Sequence, residues 1–405
     1  MTSPSASHLY YDDPYLLTFE SVVIDARRRE GRCEVALASS AFYPTSGGQL
    51  NDTGTLTPTS GGAARPVVDV HDDGEGVVWH VLDGELTPET RVVGVVDGDR
   101  RADHRQQHTG QHVLSAAFAS VCGAETRSVH LGRDLCTLDL DREIGESTIA
   151  SAEDHANAVV RDDRTVLTRY VDAAEAATLP LRRATGRTGM VRLVEVAGHD
   201  LSACGGTHVR RTGEIGAILI RGTERFKGGA RVTFVCGGRA VALHGELRRT
   251  IDAAAHQLSV GSAEVPGTIV RLQEEARDVR RAYEAALVRL ADFDAQALAQ
   301  GFEGAQGCDV LVAAQPEADA VSLRRMATVL VDVPGRVVVL IGGAAPQALV
   351  VARSSDLSTR DAGQIARAIA AEFGGKAGGR PDLAQGGGIS ATVGAVRDLV
   401  RGLLA

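Results

Sequence analysis

His104-Arg-Gln-Gln-His108-Thr-Gly-Gln-His112 and, about a hundred residues later, Cys204-Gly-Gly-Thr-His208 are the two stretches on which the reading of this chain turns. Each holds nitrogen or sulfur ligands four residues apart, a spacing that on a helix sets both side chains on one face, within reach of one ion. Imidazole and thiolate together suit zinc, and four such donors make a tetrahedral set. Histidines at 104, 108 and 112 would turn around a helix axis by roughly 40° per step, so three cannot grip one ion. His108, His112, Cys204 and His208 are therefore the candidate Zn2+ ligands, and no other part of the chain offers a comparable cluster.

His108-Thr-Gly-Gln-His112-Val-Leu-Ser-Ala-Ala-Phe followed by Cys204-Gly-Gly-Thr-His208-Val resembles the editing domain of alanyl-tRNA synthetase and its free-standing AlaX-type relatives. The resemblance extends to Phe42-Tyr-Pro-Thr-Ser-Gly-Gly-Gln49, to Ser128-Val-His-Leu-Gly132, to Thr212-Gly-Glu-Ile-Gly216 and to Gly378-Gly-Arg-Pro-Asp382-Leu-Ala-Gln-Gly-Gly-Gly388. It covers nearly the whole chain and matches the long AlaX form. It implies hydrolysis in trans of tRNA(Ala) mischarged with serine or glycine, and hence a role in translation fidelity. It also implies that Gly47 and Gly48 let the acyl-adenosine end approach bare backbone amides. Thr109 and Gln111, between the histidines, are candidates to touch substrate, and Gln49 is a third if the glycine loop closes over the ion. Gln111 stands where the synthetase motif commonly has threonine.

The 405 residues have an ordinary globular composition, with a formal net charge of −9 and lysine only at Lys227 and Lys376. Such a balance excludes blanket nucleic-acid binding and leaves local basic patches to meet RNA. One candidate edge is the run from Arg210 through Arg211, Arg221, Arg225 and Lys227 to Arg231, directly after the proposed ligands. Six cysteines without a close framework read as intracellular thiols. Met1-Thr-Ser-Pro-Ser-Ala-Ser lacks a charged start and an apolar core, and no run approaches a membrane span, so a cytoplasmic protein without membrane contact is expected. Too few residues precede the editing-like region for an adenylating domain, so a full synthetase is not expected.

The expected fold class is α+β multidomain. Residues 1–98 alternate apolar and polar in short runs at Phe19–Asp25, Cys33–Leu37, Val67–Val70, Val77–Leu82 and Val92–Val96, the pattern of a small β-barrel. Residues 99–239 read as the zinc-containing core, a helix over Arg105–Val121 and an α-β-β-α-β-β order with helices on an antiparallel sheet. Asp200 either caps a turn or orients a ligand. Residues 240–300 read as a helical hairpin or coiled coil, able to space two domains or to form a homodimer. Residues 301–405 read as an α/β unit similar to the DHH-associated C-terminal domain. In it Gly374-Gly-Lys376-Ala-Gly-Gly-Arg380 combines bare backbone with charge, as a cradle for an RNA backbone would. Three functions stay open: a trans-editing deacylase, a zinc hydrolase of a small ester or amide, and a tRNA-binding protein with structural zinc.

Overall fold

A computed structural model describes residues 7–74, 76–186, 188–305 and 307–405. Most of the polar N-terminal segment quoted above, residues 1–6, lies outside them. The chain divides into two compact units, Met1–Ala253 and Ala254–Ala405. Among the described residues no helix is long and apolar enough to cross a membrane.

The first unit opens with a closed six-stranded barrel. Going round it, the strands are Thr18–Arg29, Arg32–Leu37, Val78–Leu82, Arg65–Asp72, Gly54–Pro58 and Arg91–Val96, and the last pairs antiparallel with the first. Inward positions alternate as the sequence pattern requires, with Val23, Val35, Leu37, Leu56, Val67, Val70 and Val92 in the core. The strand Gly54–Pro58 was hidden in sequence because it carries a single deeply buried apolar residue, Leu56, between turn-forming neighbours.

Asp97 caps the helix that carries the first ligand pair, its carboxylate accepting from the Arg100 backbone N–H, and Gly123 ends that helix in the left-handed conformation at φ 64°. The helix spans Gly98–Cys122, about two turns longer at its start than the apolar spacing predicts, because the cap lies in a charged stretch. From Gln107 to Phe118 it is buried on every side. One side packs on a four-stranded antiparallel sheet ordered Ile218–Phe226, Gly229–Cys236, Cys136–Leu140 and Thr126–Leu131, where the helix Glu146–Arg161 joins the same core. A separate antiparallel sheet, Val166–Asp172, Met190–Val196 and Asp200–Ala203, delivers Cys204 from the end of its last strand.

The helices Gly238–Leu258 and Val265–Leu298 are separated by residues 259–264, with Ser259 at φ 55° and Pro266 at the start of the second. The second unit is built on a six-stranded sheet ordered Glu303–Ala305, Cys308–Gln315, Arg336–Gly342, Gln347–Arg353, Leu383–Ile389 and Lys376–Gly379. Only Cys308–Gln315 and Arg336–Gly342 run parallel, joined through the helix Ala320–Val331. Ala362–Phe373 and Val393–Leu404 cover one face, while Ala320–Val331 and the end of Val265–Leu298 cover the other. The glycine-rich stretch read as an open cradle is an antiparallel pair of strands at the sheet edge, with Lys376 opposite Gly387 and Gly379 opposite Ala384. Its glycines let two backbones pass closely: a Cβ on Gly386 would stand 2.6 Å from the Ala377 Cβ and the Lys376 carbonyl oxygen.

Candidate metal centre and its cavity

The ligand atoms of His108, His112, Cys204 and His208 converge, all within 4.8 Å of one another. The thiol of Cys204 lies 3.2 Å from His108 Nε2 and 3.3 Å from His208 Nε2. Zinc bonds of roughly 2.0–2.3 Å place tetrahedral neighbours about 3.3–3.7 Å apart, so the quartet fits such an ion with small adjustments. The second pair is not on a helix. Cys204 to His208 is an irregular loop, and its return is set by Arg192, whose guanidinium donates to the carbonyls of Cys204 at 2.9 Å and Gly206 at 3.0 Å. Gly206 has no substitute there, since a Cβ would stand 2.0 Å from His108 Cε1.

Each histidine presents Nε2 to the centre because its Nδ1 is held from behind. His108 Nδ1 meets Gln49 Oε1 at 2.8 Å, His112 Nδ1 meets Asp200 Oδ2 at 2.8 Å, and His208 Nδ1 meets the Thr109 hydroxyl at 3.2 Å. That hydroxyl donates to the Arg105 carbonyl and accepts from the Val209 N–H, which leaves it saturated. Gln49 is likewise tied, accepting from the Thr207 N–H at 3.1 Å. This is the outer shell expected behind metal-bound imidazoles. Thr109 and Gln49 are thus spent on ligand orientation. Of the three polar residues singled out from sequence, Gln111 is the one that lines the cavity. Asp200 takes the orienting role, and Arg182 anchors it at 2.6 Å.

Burial disfavours the Cys204 thiolate, yet the surrounding His108, His208 and His112 rings hold its pKa well below the ordinary thiol value. At His112 burial is outweighed by the Cys204 charge and the Asp200 hydrogen bond, and the pKa rises to about 9. Burial takes His208 down to about 3. His104 stands apart from the quartet. It is buried 3.9 Å from Asp52, the carboxylate that Arg101 grips at the barrel wall, and burial lowers its pKa to about 4.

An open cavity of about 540 Å³ lies over the quartet, lined by His108, Gln111, His112 and Cys204 together with Gly47, Thr126, Arg127, Arg182 and Arg183. Its size falls in the usual range for small-ligand sites. Gly47 and Gly48, at φ 58° and 87°, form the two-residue turn closed by Ser46 and Gln49. The Gly48 carbonyl accepts from Leu131 at 2.9 Å, so the turn is docked on the strand that walls the cavity. Arg127, Arg182 and Arg183 escaped the sequence reading, because no local pattern marks an arginine that faces a cavity.

The basic run after His208 is mostly engaged within the chain. Arg210 pairs with Asp13 and stacks on Tyr15, while Arg211, Arg225 and Arg231 pair with Asp163, Glu143 and Asp139. Lys227 sits at the tip of the Ile218–Phe226/Gly229–Cys236 hairpin, away from the quartet, at φ 47°. Lys376 and Arg380 belong to the second unit, where Arg380 pairs with Asp382.

Residues 191–233 match the second additional domain of threonyl and alanyl tRNA synthetases, and residues 307–405 match the DHHA1 domain. The chain is therefore a synthetase-related protein in which the Cys204–His208 loop lies within the first of these domains. It is 36% identical over 397 residues to an alanine–tRNA ligase of Halorubrum lacusprofundi, and 35% identical over 394 residues to that of Archaeoglobus fulgidus, in each case over 95% of its own length. It spans 42% of the length of those relatives. Among solved structures, the C-Ala domain of Aquifex aeolicus alanyl-tRNA synthetase matches at 24% identity, over 25% of this chain and 96% of that one, with a TM-score of 0.25. Over nearly its whole length the chain is thus similar to a part of alanine–tRNA ligases.

Proposed function

We propose that this chain is an aminoacyl-tRNA deacylase that hydrolyses the ester of tRNA(Ala) mischarged with serine, and of tRNA(Ala) mischarged with glycine, around one Zn2+ held by His108, His112, Cys204 and His208. The observation that supports it is the position of the quartet: three of its four donors, His108, His112 and Cys204, line a cavity that also carries polar and cationic side chains. When bound, zinc supplies a fixed positive charge against which the amino acid's carbonyl or α-amine can settle. Gln49, Asp200 and Thr109 hold the imidazoles so that this charge stays at one place. Gln111 supplies selectivity for serine over alanine. Its Nε2 is committed to Ser115 at 2.9 Å, which leaves its carbonyl oxygen to accept from a serine hydroxyl. Alanine offers that acceptor no donor, and a buried polar group left unpaired discriminates far better than an apolar wall. Gly47 keeps the opposite rim free of a side chain where the terminal ribose enters.

Four protein donors fill a tetrahedral shell, which favours a second reading in which zinc is structural and the chain binds tRNA without cleaving it. Deacylation of Ser-tRNA(Ala), Gly-tRNA(Ala) and Ala-tRNA(Ala), with and without chelator, separates the two. Hydrolysis of the first with sparing of the third supports the deacylase and its serine-reading Gln111; binding of all three without hydrolysis supports the alternative. Lys376 and Arg380 are proposed RNA-backbone contacts, and Arg210 and Lys227 are proposed to contribute as a peripheral edge. The helix Val265–Leu298 leaves Val279, Tyr283 and Phe293 more than 60% exposed, and it is the surface proposed for a homodimer.

A further inference from the structure

Beside the cavity over the ligands lies a second one, of about 530 Å³, bordered by Ser115, Ala119, Gly123 and Ala124 at the C-terminal end of the ligand helix. The two cavities share one wall, made of Thr126, Arg127, Arg182 and Arg183. Arg182 is neutralised by Asp200, but Arg127 and Arg183 are exposed on that wall. Arg183 donates to the Arg127 carbonyl at 3.3 Å, which keeps the two residues together. Asp141, the carboxylate under the influence of Arg127, is already gripped by Arg142 through both oxygens. Glu125 is the acidic member of the second cavity, so a polyanion is directed to the Arg127–Arg183 wall and away from the Glu125 side. Beneath the wall, the Ser115 hydroxyl accepts from Gln111 and from Thr126, each at 2.9 Å, and so ties the first cavity to the second.

Two cavities separated by a cationic ridge match two successive nucleosides joined by one phosphodiester. We propose that the second cavity is a nucleotide subsite: it receives the nucleotide that precedes the terminal adenosine of the RNA 3′ end, and the linking phosphate crosses the wall at Arg127 and Arg183. The proposal rests on the reading of the first cavity as the aminoacyl-adenosine site. It makes recognition of the substrate depend on more than its esterified end. It also connects occupancy of the second cavity, through Ser115, to the orientation of Gln111.

The test uses the full chain and two non-hydrolysable probes, an adenosine with serine joined by a 3′-amide and the cytidyl-cytidyl-adenosine trinucleotide with the same group. By titration calorimetry the trinucleotide should bind the wild type about tenfold tighter or more, the effect of one added base contact of ordinary strength. Ala119→Phe, which fills the second cavity, and Arg183→Ala, an exposed change, should both erase that advantage and act mainly on the longer probe. Arg183→Ala should also reduce the slope of log affinity against log salt by roughly 0.7 for the trinucleotide. A wild type that binds both probes equally, or an Ala119→Phe variant that keeps the full advantage, overturns the proposal. If the adenosine probe fails to bind while the trinucleotide still responds to Ala119→Phe, the second cavity stands and the reading of the first one falls.

Discussion

Asp200→Asn isolates the outer shell from the ligands themselves. The Asp200 side chain is fully buried, accepts from His112 Nδ1 at 2.8 Å, and receives Arg182 and the Ser202 hydroxyl on its oxygens. Burial works against its ionisation, but the His112 hydrogen bond and the Arg182 charge keep its pKa well below the carboxylate range. Asparagine keeps the shape and an acceptor but removes the charge. A charge-assisted hydrogen bond contributes about 1.5–3 kcal/mol and a neutral one about 0.5–1.5, so the substitution should cost about 1–1.5 kcal/mol of support for His112. That corresponds to roughly tenfold weaker zinc binding, at the lower end of the usual effect of removing such a partner. The assay is competition for zinc against a chromophoric chelator at pH 7, with circular dichroism to establish that the variant is folded. Ser202→Ala is the control, since its hydroxyl touches the same carboxylate but no imidazole, and it should change the affinity much less. A folded Asp200→Asn protein with wild-type zinc affinity would refute the claim that this carboxylate sustains the site.

Gln49→Leu and Thr109→Val should each weaken zinc binding by about tenfold, measured in the same competition, because each removes an Nδ1 partner. Gln111→Leu should leave zinc bound and reduce Ser-tRNA(Ala) hydrolysis by about 1–3 kcal/mol of transition-state stabilisation; wild-type kcat/KM with an unchanged serine-over-alanine ratio would count against it as the serine reader. His80 is wholly buried between the Ser40 hydroxyl and the Val35 carbonyl, and burial lowers its pKa to about 4, as it does for His104. The unfolded chain, with an imidazole pKa of about 6.5, then binds more protons, so this stability is present above about pH 6.5 and is lost as pH falls toward 4, by up to about 3 kcal/mol for His80. Thermal melts across that window should show the loss, and His80→Gln should flatten it. Ending the chain after Leu258 should leave zinc binding and hydrolysis at saturation largely intact while raising KM for tRNA; an unchanged KM would show that the second unit adds nothing to RNA binding.

The sequence by itself determined what is local. Alternation over Arg91–Val96 reports a half-buried strand, because side chains of a strand change face at every residue, while the short apolar runs Cys33–Leu37 and Val78–Leu82 report strands buried at every position. The two ligand pairs were legible for the same reason: four-residue spacing keeps His108 and His112 on one side of a helix, and two glycines bend Cys204 back toward His208. Only the tertiary structure decided what faces what. Gln49 reaches His108 across 59 residues and Asp200 reaches His112 across 88, and no periodicity encodes a hydrogen bond that two separate elements form when they pack. The same limit explains the arginines. Arg210 and Arg231 looked like free charge in the sequence but face Asp13 and Asp139, while Arg127 and Arg183, with nothing to mark them, border the cavities. A charge is available to a ligand only where the fold leaves it without a nearby counter-charge, and that is a property of the packed chain.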